Sequence, residues 1–405
     1  MGKEMVFGLA VLVLAVGGDW AAVNATADDP AVILETKVIC REPGKYLSTG
    51  SDVVVDGNGH PVAEKGKVEA DRYVGWPTIT QTKTGELIVV YSGDRDTHVC
   101  PWGKTQMIRS QDLGKTWSEP VTITSTPLDD RDAGIIQSHA GTLVVSWFTS
   151  LAFTEAAYVG AVPRYVRHAE KITPEIRKQW LGNWIRRSED GGATWQEPIR
   201  TVSSAPHGPI VLRNGKLLYV GTGQWQEQRT ITVEESSDDG RSWEVMATIP
   251  LVSGTPDIRL EEPHVVELAS GKLLAMFRYE PRDRSQCFLQ QAESEDGGRT
   301  WTPVHSSGIW GYPPHLIQLS NGWVLVVYGY RREPYGQRGC LSRDEGRSWD
   351  LEHEIILVDT APNPDLGYPS SVQLADGSIL TVYYQVEKPG EMTCLMSTHW
   401  RLKEP

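Results

Sequence analysis

The chain has 405 residues, 22% of them charged and 40% hydrophobic, with a formal net charge of -13. That length and balance describe a globular protein with a large core, and the acidity, unrelieved by any basic stretch, excludes nucleic acid and anionic membrane surfaces as partners. An anionic ligand would need a local arginine cluster.

Lys3, the apolar run from Met5 to Val16 and the small residues Ala25-Thr26-Ala27 read as a secretory leader over residues 1–27. The run falls short of the about 20 apolar residues that span a bilayer. A soluble secreted or periplasmic protein is therefore expected, folded over 28–405. Ala31 to Cys40, rich in Val, Ile and Leu, reads as a strand, and the polar, Gly-rich stretch Pro43 to Asp71 as a loop.

Two repeats then run in step. In the first, a strand, a tight turn closed by Gly and an apolar strand recur with glycines 85, 141, 215, 271, 322 and 377. In the second, Ser-x-Asp-x-Gly-x-(Thr/Ser)-Trp recurs at Ser110 to Trp117, Ser188 to Trp195, Ser236 to Trp243, Ser294 to Trp301 and Ser342 to Trp349. Five of the six hairpins lead through a third strand into a box and on to a fourth strand. The pattern predicts an all-β, six-bladed β-propeller of four-stranded blades. The sixth unit ends in the decayed box Met396 to Trp400, so Ala31–Cys40 should supply its outer strand and close the ring. A second insertion, Thr154 to Trp184, carries a short helix on the rim, started by Thr173 as cap and Pro174 at the first turn.

Five Asp at fixed spacing look like metal ligands, but a site needs unlike residues converging, and these are alike and spread round the ring. A carboxylate and a Gly in a tight turn bond the turn's own amides, and the Trp packs between sheets. Five scattered cysteines without a CxxC spacing form neither a disulfide framework nor a zinc site, and at most two pairs. Nothing in the sequence asks for a metal or other cofactor.

The boxes join third to fourth strands, so the starts of first strands and the ends of second strands share the opposite face. That face collects unlike residues: Trp76, Asp129 to Asp132, His207, Glu261 to His264, Tyr312 to His315 and Tyr368 from the starts, and Asp94 to His98, Gln224, Arg278 to Glu280, Tyr330 to Arg332 and Tyr384 from the ends. Carboxylates for proton transfer, Arg for an anionic group and aromatics for sugar faces suit glycosidic chemistry.

The boxes and hairpins resemble the sialidase superfamily of Asp-box, or BNR-repeat, propellers over most of the chain after about residue 70. The resemblance implies a Tyr nucleophile activated by a Glu, an acid/base Asp, and three Arg on a substrate carboxylate. Gly367-Tyr368-Pro369-Ser370-Ser371 matches the nucleophile stretch, Leu260-Glu261-Glu262-Pro263-His264 the base stretch, and Arg278 the second arginine. Gly75 stands where the family has its first arginine. Asp94, Asp96 and His98 compete for the acid, and Arg331, Arg332 and Arg338 for the third arginine. The catalytic set expected is Tyr368, Glu262, Asp96 and His98. The substrate-binding set is Arg278, Arg95, Arg331, Trp76, Asp130, Arg131, His207, His264, Tyr312 and His315.

Three readings follow. The first is an exported glycoside hydrolase acting from the end of a glycan on an anionic or decorated sugar. The second, suggested by Gly75 and by His207, His264 and His315, is a polysaccharide lyase or another glycan-active enzyme on the same scaffold. The third is a propeller that binds sugar without cleaving it.

Overall fold

The computed structural model describes residues 30–44, 71–155, 163–250 and 260–403, together with the backbone of the strand pair Val54–Val55 and Pro61–Ala63. The expected leader lies outside the described residues. Six four-stranded antiparallel sheets form the propeller. Their innermost strands are Tyr73–Gln81, Asp129–Gln137, Ile210–Val211, Leu260–Glu267, Pro314–Gln318 and Gly367–Gln373, in blades 1 to 6. Ala31–Cys40 pairs antiparallel with Thr393–Leu402, from Ala31 opposite Leu402 to Cys40 opposite Leu395, and completes blade 6. The ring is thus closed by hydrogen bonds between the two ends of the propeller, and Thr393–Leu402 is paired on both sides.

The core lies between blades, and the alternation of side chains along each second strand explains why. In Leu87–Arg95 of blade 1, residues Leu87 to Tyr91 are all fully buried. Leu87, Val89 and Tyr91 face blade 6, against Leu380, Val382 and Tyr384, whereas Ile88 and Val90 face blade 2, against Ile135, Leu143 and Val145. A strand buried on both faces must be a continuous apolar run, which is how these segments read. The same division repeats in blade 4, where Leu273, Ala275 and Phe277 join the cluster of blade 3 while Leu274 and Met276 join that of blade 5. Each buried aliphatic side chain contributes roughly 1.5–3 kcal/mol.

The boxes are scaffold. In each, the Ser hydroxyl donates to the Asp and accepts the Gly amide, and the Asp accepts the amide and hydroxyl of the following Thr or Ser, as with Ser294, Asp296, Gly298 and Thr300. The Thr300 amide and hydroxyl hold the exposed Asp296 carboxyl down to about 2. Trp301 lies in the interface of blades 3 and 4, and Trp117, Trp195, Trp243 and Trp349 pack on other interblade clusters. The rim helix runs Pro174–Trp180, with the Thr173 side chain accepting the Ile176 amide, and a second helix, Pro163–Ala169, precedes it. All five cysteines are buried and free. No helix among the described residues is long and apolar enough to cross a membrane.

Candidate functional site

The site grows out of irregularities at the starts of the innermost strands. In blades 1, 2, 4 and 6 the pairing with the second strand skips two residues, between Gly75 and Thr78, Arg131 and Gly134, Glu261 and His264, and Gly367 and Ser370. Inside each bulge one non-glycine residue takes a left-handed backbone: Trp76 at φ 55°, Asp132 at 51°, Glu262 at 48° and Tyr368 at 52°. Such a conformation costs roughly 1–3 kcal/mol per residue and is tolerated where a bulge re-aims a side chain. All four stand nine residues before their hairpin glycines 85, 141, 271 and 377. Pro206 and Pro313 occupy the same position in blades 3 and 5. One layer of the propeller mouth is therefore made of four re-aimed side chains and two prolines.

Three of the expected residues meet there. The Tyr368 hydroxyl donates to Glu262 Oε1 at 2.6 Å, and Arg278 donates to Glu262 Oε2 at 2.7 Å and to the Tyr368 oxygen at 3.3 Å. Glu280 holds the other end of the guanidinium. Tyr368 is 5% exposed, and burial, with Glu262 and Asp132 adding, raises its pKa well above the ordinary value while Arg278 and Arg331 oppose. The phenol is thus protonated at rest and in contact with a base that can take its proton. Arg278 keeps its charge although burial works against it, because Glu262, Tyr368 and Glu280 surround it. Arg278 and Arg331 both stack on Tyr312, 4.6 and 5.1 Å from the ring centre, and Arg331 Nε donates to Leu366 O just before the Tyr368 bulge.

Asp132 is the functional candidate that the sequence reading left out of its site set. It is 8% exposed, its Oδ1 has no hydrogen-bond partner among the described residues, and its amide is held by Ser92 Oγ at 3.0 Å. Burial pushes its carboxyl up to about 7, with Glu262 adding and Arg131, Arg95 and Arg278 opposing. Asp132 and Glu262 line a cavity of about 220 Å³ with Asn183, Thr222, Phe148 and Arg229. The signal that singles it out within Asp129 to Asp132 is the nine-residue offset to Gly141.

The loop after the first hairpin separates its three candidates. Arg72 donates to Asp94 at 3.0 Å and to Asp96 at 2.5 Å, Lys104 also pairs with Asp94, and Asp96 is 5% exposed. Both carboxylates hold the loop down. His98 is exposed at the mouth, edge-on to Trp76 with ring centres 5.0 Å apart. Beside it, the space into which a side chain at position 75 would extend is taken by Tyr73 and Tyr384. Both hydroxyls donate to Asp365 Oδ1, at 2.9 and 3.1 Å. Two tyrosine rings, joined through Asp365, thus stand beside Gly75, the position where the resemblance implies the first arginine.

The remaining expected residues are supports. Arg95 and Asp129 form a fully buried ion pair at 2.7 Å, and Arg95 also donates to His98 O. Asp130 is fully buried and accepts the amide and hydroxyl of Thr126. Trp76 is 1% exposed and lies beneath the surface, with Arg131 over its ring at 4.3 Å. His207, His264 and His315 are buried together in the central channel, ring centres 4.3 to 5.6 Å apart. The Leu316 and Ser371 amides donate to Nδ1 of His264 and His315, which fixes those rings neutral with their protons on Nε2. Burial holds His264 down at about 3 and the other two well below the usual value. His207 Nε2 has no hydrogen-bond partner among the described residues, and the three rings line a cavity of about 490 Å³. The groups gathered around the bulges are Tyr368, Glu262, Arg278, Arg331, Arg131, His98 and Asp132, with Tyr312 beneath the arginines.

The BNR repeat-like domain matches residues 169–381, just over half of the chain. The chain belongs to that family. A sialidase of Micromonospora viridifaciens is 24% identical over 313 residues, covering 68% of this chain and 45% of that protein, so the chain spans under half the length of this curated relative. Among solved structures, a protein of unknown function from Dyadobacter fermentans superposes with a TM-score of 0.70 at 23% identity, over 92% of this chain and 100% of that one. An α-L-arabinanase of Penicillium chrysogenum, solved with arabinobiose, superposes with a TM-score of 0.55 at 16% identity, over 89% and 98%. At these identities the structural likeness is one of fold. The family member described here thus shares a sialidase-like propeller with glycoside hydrolases of more than one specificity.

Proposed function

We propose that this protein is a glycoside hydrolase that removes the terminal sugar of a glycan through a covalent intermediate on Tyr368. The observation that carries the reading is the contact of Tyr368 with Glu262 at 2.6 Å, both inside bulges that aim them at one mouth. As the Tyr368 oxygen bonds to the anomeric carbon, its proton passes to Glu262. A neutral phenol approaches a carbon bearing or neighbouring negative charge without the repulsion a carboxylate would meet. Arg331, whose terminal nitrogens have no protein partner among the described residues, and Arg278 receive an anionic or decorated group of the sugar. The cavity beside Asp132 and Glu262, about 220 Å³ and lined also by Phe148 and Pro206, is of a size for a single sugar ring, which supports action at a chain end. A third group must protonate the leaving oxygen.

The name of the sequence relative favours sialic acid. The Tyr73, Tyr384 and Asp365 network in place of the first arginine weakens the carboxylate clamp and favours a less acidic sugar. Export, expected from the leader, belongs to this proposal. A screen of the purified protein against sialylated, arabinose-containing and uronate-containing glycans tests it. Release of a terminal sugar by wild type and not by Tyr368→Phe is expected. Unchanged release by Tyr368→Phe overturns the reading, and an unsaturated uronate product would establish the lyase instead.

A further inference from the structure

We infer that His98 is the proton-transfer residue of this site and that Asp365, acting through the Tyr73 hydroxyl, is its positioning residue. This rests on the hydrolase reading above. The bonding fixes the imidazole's state. Tyr73 gives its only hydroxyl proton to Asp365 at 2.9 Å, so its oxygen is left to accept from His98 Nδ1 at 3.1 Å. Arg131 has no acceptor, so His98 Nε2, 3.3 Å away, must be the acceptor there. The resting ring is therefore neutral, protonated on Nδ1, with the Nε2 lone pair held by Arg131. Tyr384 adds a second hydroxyl to the same Asp365 oxygen at 3.1 Å. That oxygen lies 3.8 Å from His98 Nδ1, close enough to favour the imidazolium.

The groups that face the ring are Asp365, Tyr73 and Trp76 on one side and Arg131 and Arg95 on the other. Partial desolvation lowers its pKa from 6.5, Asp365 opposes, and Arg131 and Arg95 add to the lowering. Asp94 and Asp96 of the same loop cannot take the role, since Arg72 and Lys104 hold them. A sugar that draws Arg131 onto its own hydroxyls uncovers Nε2. Once Nε2 has taken up a proton from solvent, the imidazolium gives it to the leaving oxygen as the bond from that oxygen to the anomeric carbon breaks and Tyr368 bonds to the carbon, its phenol proton passing to Glu262. In the second step water attacks the carbon and gives a proton to Nε2. The bond to Tyr368 breaks with its electron pair returning to the phenol oxygen, which recovers its proton from Glu262. The site thus uses an imidazole where its relatives' resemblance implies a carboxyl, and a carboxylate reached through Tyr73 orients it.

Nitrogen-15 NMR of the histidine side chains, with His98 assigned by its loss in His98→Asn, tests the positioning claim without any substrate. The Nδ1–H form at neutral pH is expected in wild type, with the titration midpoint falling by ~1 unit in Asp365→Asn. An Nε2–H ring, or an unmoved midpoint in both Asp365→Asn and Tyr73→Phe, overturns it. The catalytic claim is tested with the 4-nitrophenyl and methyl glycosides of the sugar released in the screen. His98→Asn should lose ~10²–10⁴-fold on the methyl glycoside and little on the nitrophenyl one, whose leaving group needs no proton. Equal losses on both, or the leaving-group-dependent loss appearing in Asp132→Asn instead, overturn it. Loss of activity in Tyr368→Phe alongside either outcome leaves the hydrolase reading standing, so the two failures are distinguishable.

Discussion

Glu262→Gln separates chemistry from scaffold. The substitution keeps the size of the side chain and leaves one amide oxygen for Arg278, with the amide NH2 turned to the Tyr368 oxygen, but it removes the base that takes the phenol proton. Breaking a buried ion pair outright costs about 3–5 kcal/mol. Here Arg278 keeps Glu280, and the two side chains of the pair are 12% and 16% exposed, so the loss should be nearer about 1–2 kcal/mol. For a chain of this length that lowers Tm by about 1–3 °C. Turnover should fall far more, by ~10²–10⁴-fold, equivalent to roughly 3–5 kcal/mol in the barrier. Initial rates on the substrate found in the screen, beside a thermal melt of the same samples, measure both. A rate within threefold of wild type would refute the pairing. A melt lowered by more than about 8 °C would show that Glu262 is chiefly a structural residue.

The channel histidines predict acid lability with a definite sign. They are neutral in the fold, His264 with a pKa of about 3, but bind protons once unfolded, with midpoints near 6.5. Stability is therefore full above about pH 6.5 and declines toward pH 3, by roughly 1.4 kcal/mol per pH unit for each histidine. Urea melts at pH 7 and pH 5 should show the decline, and His264→Gln should make it shallower by about one proton; an identical slope would contradict the assignment. Leu274→Ala, at a fully buried position between blades 4 and 5, should cost about 2–5 kcal/mol without altering the rate of the folded enzyme. A melt with a matched rate assay decides it. Removing residues up to Cys40 strips the outer strand from blade 6 and bares Thr393–Leu402 as an edge, so aggregation and loss of a single cooperative melt are expected. A monomeric truncated protein with an unchanged melt would refute closure as a source of stability.

Much of this protein is local in origin and was therefore legible in the residues. Glycines 85 to 377 must close the hairpins because the turns need a positive φ, and they have one. The boxes set where each third strand ends, and a continuous apolar second strand requires a neighbour on either face, hence a ring. The candidate nucleophile and base, Tyr368 and Glu262, were legible because their stretches resemble those of the sialidase superfamily and stand at starts of first strands, which the repeats place on one face. What repetition cannot carry is the pairing of side chains that lie apart in sequence. Whether Asp96 is an acid or an anchor depends on Arg72, a residue outside the loop, closing on it. The state of His98 depends on Asp365, brought beside it only when blade 6 meets blade 1. Spacing along the chain determined the fold, and the stretches around Tyr368 and Glu262 marked one pair of catalytic candidates. The tertiary structure decided the rest, because a proton's affinity for a side chain is set by the charges and hydroxyls around it, and those neighbours come from elsewhere in the chain, as Asp365 does for Tyr73.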